Sequence, residues 1–365
     1  MNRLSAIDAF GPAFARVRAM LFHPFRLGTW LKMGLIGLLG GGAIVSGGGS
    51  NFRVPAIPRN GHRNLPPNTE DILRAMRSIH LADYFHVFVI VIGVIVVLAL
   101  IFLYLFCRFR FILFDSVVTG QPDIESGWRK YESQANRYFG FWLAFRLTTW
   151  GALVLIVGVP LWKAYKSGIF SGDNSLPIFF AMIASVALGA LVVGIAFAVV
   201  STLAKDFVMP VLALDDLSVG DAWSAVWRVA ASEPGAWAAY MGMKLLCAIG
   251  SSIALTIAFV IAMLPAFIVI GIPVGILVVL GVFAFKTIGA VAGIIVCCIA
   301  ALLAAAGIVC LLLILTAPIS VFFTSYALYF FGGRYPKLAA LLSPQPIPLA
   351  PISPAAVTQP LPQRP

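Results

Sequence analysis

The chain has 365 residues, of which 61% are hydrophobic and only 11% are charged, with 25 Lys or Arg against 14 Asp or Glu and a net charge of +11. A soluble domain has about 25% charged and roughly half apolar residues. At a mean hydropathy of +0.99, a soluble enzyme, a disordered chain and a disulfide-stapled secreted domain are all excluded, because none can hide this much apolar surface.

What remains is an all-α integral membrane protein, read in segments of about 20 apolar residues, the length that crosses roughly 30 Å of hydrocarbon. Residues 5–21 form an amphipathic helix with Ile7, Phe10, Phe14, Val17 and Leu21 on one face. The first apolar run, 27–46, follows a basic leader of about thirty residues, long for a signal sequence, and reads as a retained span. Gly47-Gly48-Gly49-Ser50 then opens a polar loop over 51–80, rich in Pro, Asn and Arg. The second span is 84–107 and the third is 139–162. A second amphipathic segment, 123–139, lies between them, with Ile124, Trp128, Tyr131, Ala135 and Tyr138 at helical spacing.

The fourth span is 177–203. A third amphipathic segment, 218–231, carries Val219, Trp223, Val226 and Ala230 and leads into the fifth span, 237–264. Between Lys244 and Arg334 the only charge is Lys286. Pro265, Pro273 and Pro318 are expected to break these apolar stretches, with 265–285 either a re-entrant hairpin or a full crossing. The tail, 343–365, is Pro-rich and expected to be extended or disordered.

The sequence therefore predicts about six core transmembrane helices, in six to eight crossings, within one polytopic domain over 1–342. Three repeat units are expected, near 5–107, 123–203 and 218–331, each pairing an interfacial amphipathic helix with two spans. Trp128, Gly140 and Trp142 align without a gap onto Trp223, Gly235 and Trp237. Ser5 with Asp8, and Ser218 with Asp221, fit the Ser-x-x-acid helix start. Most Lys and Arg fall on the side of the N-terminus. That predicts a plasma-membrane protein with both termini cytoplasmic.

The segments FRFILFDSVVTG (109–120), SGWRKY, RYFGFW, KDFVMPVLALDD (205–216) and FFTSYALYFFGGRYPKL (322–338) resemble a family of uncharacterised prokaryotic multipass proteins. The opening SAIDAF and LFHPFRLGTWLKMGL fit as well. The repeat style is similar to the membrane domain attached to some glycerophosphodiester phosphodiesterases. That resemblance implies six core helices with interfacial helices between them. It does not imply the hydrolase activity, because the 51–80 loop is too short to hold a catalytic barrel.

Candidate chemistry is sparse. His80, Asp83 and His86, with Glu70 and Asp71 nearby, read as a polar collar rather than a metal site, since positions i, i+3 and i+6 drift around a helix. The glycine runs lack the strand and the Lys-Ser or Lys-Thr of a phosphate loop. Gly37 with Gly41, Gly271 with Gly275 and Gly289 with Gly293 read as close helix packing instead. Cys107, Cys247, Cys297, Cys298 and Cys310 all lie in apolar stretches and read as packing residues. No catalytic set, metal site or cofactor is expected.

The best lead is the intramembrane charge. Asp115 with Arg146, and Asp206 with Lys244, are predicted to form structural ion pairs between adjacent helices. Trp30, Lys32, Trp128, Trp142, Trp223 and Trp237 are predicted to be interfacial anchors. The expected function is a non-enzymatic membrane module that binds anionic headgroups or a membrane protein partner, with no nucleic acid involved. The alternative is a transporter or channel for a hydrophobic or small solute.

Overall fold

The computed structural model describes residues 3–23, 25–41, 81–166 and 175–342. The expected loop, the Pro-rich tail, Glu70, Asp71, His80 and the end of the first apolar run lie outside them. Every regular element among the described residues is helical, as hydrocarbon requires of a chain that must satisfy its own backbone.

The elements in order are α1 (Phe10–Val17), a π-helical turn (Arg18–Phe22), α2 (Leu27–Leu39), α3 (Leu81–Thr119), α4 (Ile124–Lys130), α5 (Glu132–Lys166) and α6 (Ser175–Leu203). A second π-helical turn, Ala204–Val208, joins α6 to α7 (Met209–Asp215), and α8 is Val219–Ser232. A third such turn, Phe267–Gly271, joins α9 (Pro234–Ala266) to α10 (Ile272–Thr287), and α11 (Ala290–Gly332) and α12 (Pro336–Leu342) follow. Five helices are long and apolar enough to cross a membrane: His86–Thr119, Glu132–Lys166, Phe179–Asp215, Pro234–Thr287 and Ala290–Gly332. The first expected span is a helix of 13 residues over its described part.

Three sequence expectations change. The second amphipathic segment is not one helix. It breaks at Tyr131 (φ −109°, ψ 27°), and from Glu132 onward the chain is already the spanning helix α5. The break is held from both sides: Asp123 Oδ1 accepts the Glu125 and Ser126 N–H groups, and Tyr131 donates to Asp115 at 2.8 Å. The prolines do not break the C-terminal helices either. Pro265 lies inside α9 and Pro318 inside α11. The π-helical turn beside Pro265 absorbs the register fault that a proline introduces. Pro273 lies in the first turn of α10, where its missing N–H costs least. The chain reverses at Gly289 (φ +132°), a conformation that glycine adopts without penalty. Finally, the first amphipathic segment divides its apolar face: Ile7, Phe10 and Phe14 are exposed and Val17 and Leu21 are buried, together with Ala6, Ala9 and Ala13. These small side chains let the N-terminal segment approach α11 closely, where Tyr326 Oη donates to the Ala6 carbonyl at 2.9 Å.

Both Ser-x-x-acid sequences start their turns as written: Ser5 Oγ accepts the Asp8 N–H at 3.1 Å and Ser218 Oγ the Asp221 N–H at 3.2 Å.

Burial divides the molecule across its long helices. In α3 the side chains from Val87 to Phe102 are exposed, and those from Leu103 to Val117 form the core. In α5 the order reverses, with Tyr138 and Trp142 buried and Leu147, Trp150 and Leu155 exposed. The segment α6–α7 runs from exposed Phe180 to buried Val208, α9 from buried Tyr240 to exposed Leu245, and α11 from exposed Val291 to buried Tyr326. So α3, α6 and α11 run into one common junction while α5 and α9 run out of it. Away from the junction the helices present apolar side chains that lipid solvates, so no hydrophobic drive pulls them together.

Candidate functional site

The junction is built around the π-helical turn Ala204–Val208. Its wider winding turns consecutive residues inward, and Lys205, Asp206 and Phe207 are at most 3% exposed. Asp206 is the centre of a buried network. Arg110 Nη2 on α3 donates to its Oδ1 at 3.4 Å, and Tyr240 Oη on α9 donates to its Oδ2 at 2.8 Å. Lys244, one turn further along α9, donates to the same Oδ2. Arg110 Nη2 also reaches the Lys205 carbonyl at 3.3 Å. Aromatic rings wall the network: Tyr240 stacks on Tyr326 at 5.2 Å and on Phe330 at 4.6 Å.

A second set of cations borders it. The Lys205 ammonium lies 5.7 Å from the Trp142 ring and 6.0 Å from the Phe106 ring. The half-buried Arg146 guanidinium lies 5.9 Å from the same Trp142 ring. Arg108, 3% exposed, donates to Tyr104 Oη at 2.8 Å and 2.9 Å and to the Trp128 carbonyl at 3.0 Å. Glu132 at 3.3 Å is its carboxylate partner at the rim.

The structure therefore brings Asp206 and Lys244 together, but not Asp115 and Arg146. Asp115 lies farther along α3, beyond the level of Arg146, and is held by Lys130 at 2.7 Å and Tyr131 at 2.8 Å. Burial opposes the charge on Lys130 most strongly, but its hydrogen bonds to and charge attraction by Asp115 and Tyr131 together outweigh that and raise it above the usual Lys value. Burial pushes the Tyr131 hydroxyl up to about 12.

Three of the predicted interfacial anchors are core residues. Trp142 is 1% exposed and Trp237 is 6% exposed, with Trp237 packed at 4.4 Å on Phe207. Trp30 is buried too, donating to the Leu21 carbonyl at 2.6 Å. Trp128 is half-buried, its ring 5.0 Å from the Arg108 guanidinium, and Trp223 is half-buried against Phe141. Lys32 alone of the six is exposed. The tryptophans that face outward are Trp150, Trp162 and Trp227. A large ring contributes most where it fills volume, and the junction is where five long helices leave volume to fill.

The sequence reading missed Arg110, Lys205, Tyr138 and Tyr240. A signal was present: Arg108, Arg110 and Lys205 each interrupt an apolar run, which is costly unless partners await the charge. Arg110 Nε, Tyr138 Oη and Trp142 Nε1 are buried with no hydrogen-bond partner among the described residues, as are Trp223 Nε1 and Trp237 Nε1. No group of three or more His, Cys, Asp or Glu that could hold a metal ion occurs among the described residues.

Residues 4–341 match a family described as "Family of unknown function (DUF7544)", and the chain belongs to it. No curated protein and no solved structure matches the chain.

Proposed function

We propose that this member of DUF7544 is a non-catalytic multi-pass membrane module that holds anionic lipid at one face of the bilayer. The reading rests on one observation: its long helices pass from exposed apolar side chains to a packed core at a common level, and that level carries Arg108, Arg110, Arg146, Lys205 and Lys244, with Asp206 held by Arg110 and Lys244 and Glu132 by Arg108. Outside this core the same end carries exposed Arg129, Lys130, Arg137 and Lys337, each paired with a carboxylate, Glu125, Asp115, Asp216 and Asp215 in turn. A basic rim next to hydrocarbon attracts anionic headgroups by about 1 kcal/mol per Lys or Arg near the surface.

In this reading the rim is cytoplasmic, the membrane is the plasma membrane, and three repeat units surround the junction. The units would resemble in style the membrane domain of glycerophosphodiester phosphodiesterases, without a catalytic domain. The burial of both Trp142 and Trp237 supports that internal correspondence. Asp206 accepts from three donors at once, which suits a counter-ion better than a catalytic base.

The test is thermal melting of the full-length protein in neutral detergent, titrated with phosphatidylglycerol or phosphatidylcholine. The anionic lipid should raise the melting temperature by several degrees and the zwitterionic one should not. The difference should shrink in about 1 M salt, where the screening length is about 3 Å. Equal responses to both lipids would overturn the proposal.

A further inference from the structure

We infer that the hairpin of α10 and α11 seats one anionic lipid at the end of the molecule away from the junction, with an acyl chain in the groove between the two helices and the headgroup on Lys286. This site is separate from the basic rim and does not depend on it.

The first argument is shape. The two helices approach through glycine: a Cβ built on Gly281 falls 2.7 Å from Cys297 Sγ, and one on Gly293 falls 2.5 Å from Phe285 Cβ. Beside this contact lies a cavity of about 370 Å³, lined among others by Val282, Phe285, Ile294, Cys298 and Ala301, with Lys286 also in its wall. That volume falls within the range of small-molecule sites. Val282, Phe285 and Ile294 are exposed, so the groove opens sideways to hydrocarbon. Along α11 its lining runs from Gly293 to Ala301, about 12 Å at 1.5 Å per residue. A long, narrow, apolar groove of this kind suits an acyl chain.

The second argument is charge. Lys286 is the only charged residue between Lys244 and Arg334, so neither wall of the groove carries an acid. Its side chain is exposed at the tip end of the groove, three residues before the reversal at Gly289. A cation on a lipid-facing helix is costly and marks a partner or a pathway. An amphiphile with an anionic head complements both parts of the site, its chain against the apolar walls and its head against the ammonium. A zwitterionic head brings a cation of its own to Lys286 and fits less well.

The third argument is level. Helix α11 has 43 residues, about 64 Å at 1.5 Å per residue, against about 40–45 Å for a bilayer with its headgroup regions. Its C-terminal end, from Thr316 to Gly332, lies in the junction. Its N-terminal end therefore reaches the opposite headgroup region, even when the helix is tilted. Lys286, beside that end, sits at headgroup depth, and the groove leads from it back toward the middle of the bilayer. A lipid in the leaflet away from the junction thus has its head and its chain at the right depths together.

The test is photocrosslinking of the full-length protein in neutral detergent. The probes are phosphatidylglycerol and phosphatidylcholine, each with a diazirine on one acyl chain, and adducts are mapped by mass spectrometry. In the wild type the anionic probe should label residues 282–301 about fivefold more strongly than the zwitterionic one, the ratio expected for one Lys near an anionic headgroup. Lys286→Gln should abolish that preference and Lys286→Arg should keep it. Ala301→Phe and Val282→Phe, both at exposed positions in the groove wall, fill the groove and should remove labelling by both probes. If Ala301→Phe loses its cooperative melt, Val282→Phe decides. Equal labelling by the two probes, or a preference unchanged in Lys286→Gln, overturns the headgroup contact. Labelling unchanged in the filled variants overturns the groove. The melting titration that tests the rim is repeated in Lys286→Gln: a response that survives belongs to the rim, and one that vanishes belongs to the hairpin and overturns the rim reading.

Discussion

Replacing Asp206 by Asn tests the organisation of the junction most directly. The substitution keeps the shape of the side chain and removes the one buried carboxylate that Arg110, Lys244 and Tyr240 share. The side chains of Asp206 and Lys244 are 2% and 10% exposed, so little solvent screening weakens the effect. Removing one member of a buried ion pair costs about 3–5 kcal/mol, because the remaining charge is left uncompensated. For a chain of this size about 1 kcal/mol moves the melting temperature by about 2 °C, so a loss of roughly 6–10 °C is expected in neutral detergent. Asp115→Asn is the control: its partner Lys130 is 57% exposed, and such pairs contribute about 1 kcal/mol or less. Combining Asp206→Asn with Lys244→Met should lose less than the sum of the single losses, with a coupling of about 2 kcal/mol. The reasoning fails if Asp206→Asn melts within about 2 °C of the wild type, or if Asp115→Asn costs as much.

Three more outcomes follow. A Cβ built on Gly34 falls 2.1 Å from the Leu313 carbonyl oxygen, and backbone cannot move aside cheaply, whereas one on Gly11 meets nothing within 4 Å. Gly34→Ala should therefore destabilise by about 1–3 kcal/mol, and Gly11→Ala should be neutral or stabilising by about 0.5 kcal/mol, as read from detergent melting curves. Burial opposes the charge on Glu233, but Arg334 at 3.0 Å and Arg3 outweigh it and hold the carboxyl below its ordinary value of 4.5. Its stabilisation is complete above about 4.5 and is lost as pH falls through the depressed folded value. The melting temperatures of wild type and Glu233→Gln should thus converge in acid and separate above that point; a pH-independent gap would contradict the pairing. Lastly, Arg129→Cys and Arg228→Cys should label from the same side of the membrane in sealed vesicles, because α3 and α6 enter the junction and α5 and α9 leave it. Labelling from opposite sides would overturn the common junction.

How much of this was legible beforehand varies by residue. Asp206 and Lys244 could be paired from sequence because each lies near a span end, where a charge has few partners available. Asp115 and Arg146 satisfied the same rule, yet Lys130, brought round by the short helix α4, reaches Asp115 instead. The tryptophans were misread because an interfacial ring and a core ring look alike in one dimension. Trp142 differs from Trp150 by two turns of helix and by nearly the whole range of exposure.

The sequence by itself determined the all-helical membrane class, because a 61% apolar chain in hydrocarbon has helices as almost its only way to satisfy its backbone. It also determined where one helix starts, through Ser218, and the turn before α1, through Ser5, since a cap is a contact between near neighbours. Only the tertiary structure decided what the charges do. Arg110, Tyr138, Lys205 and Tyr240 come from four segments far apart in the chain, and which of them meet depends on helix rotation and depth. The π-helical turn Ala204–Val208 faces Lys205 and Asp206 inward, and neither propensity nor hydropathy encodes it.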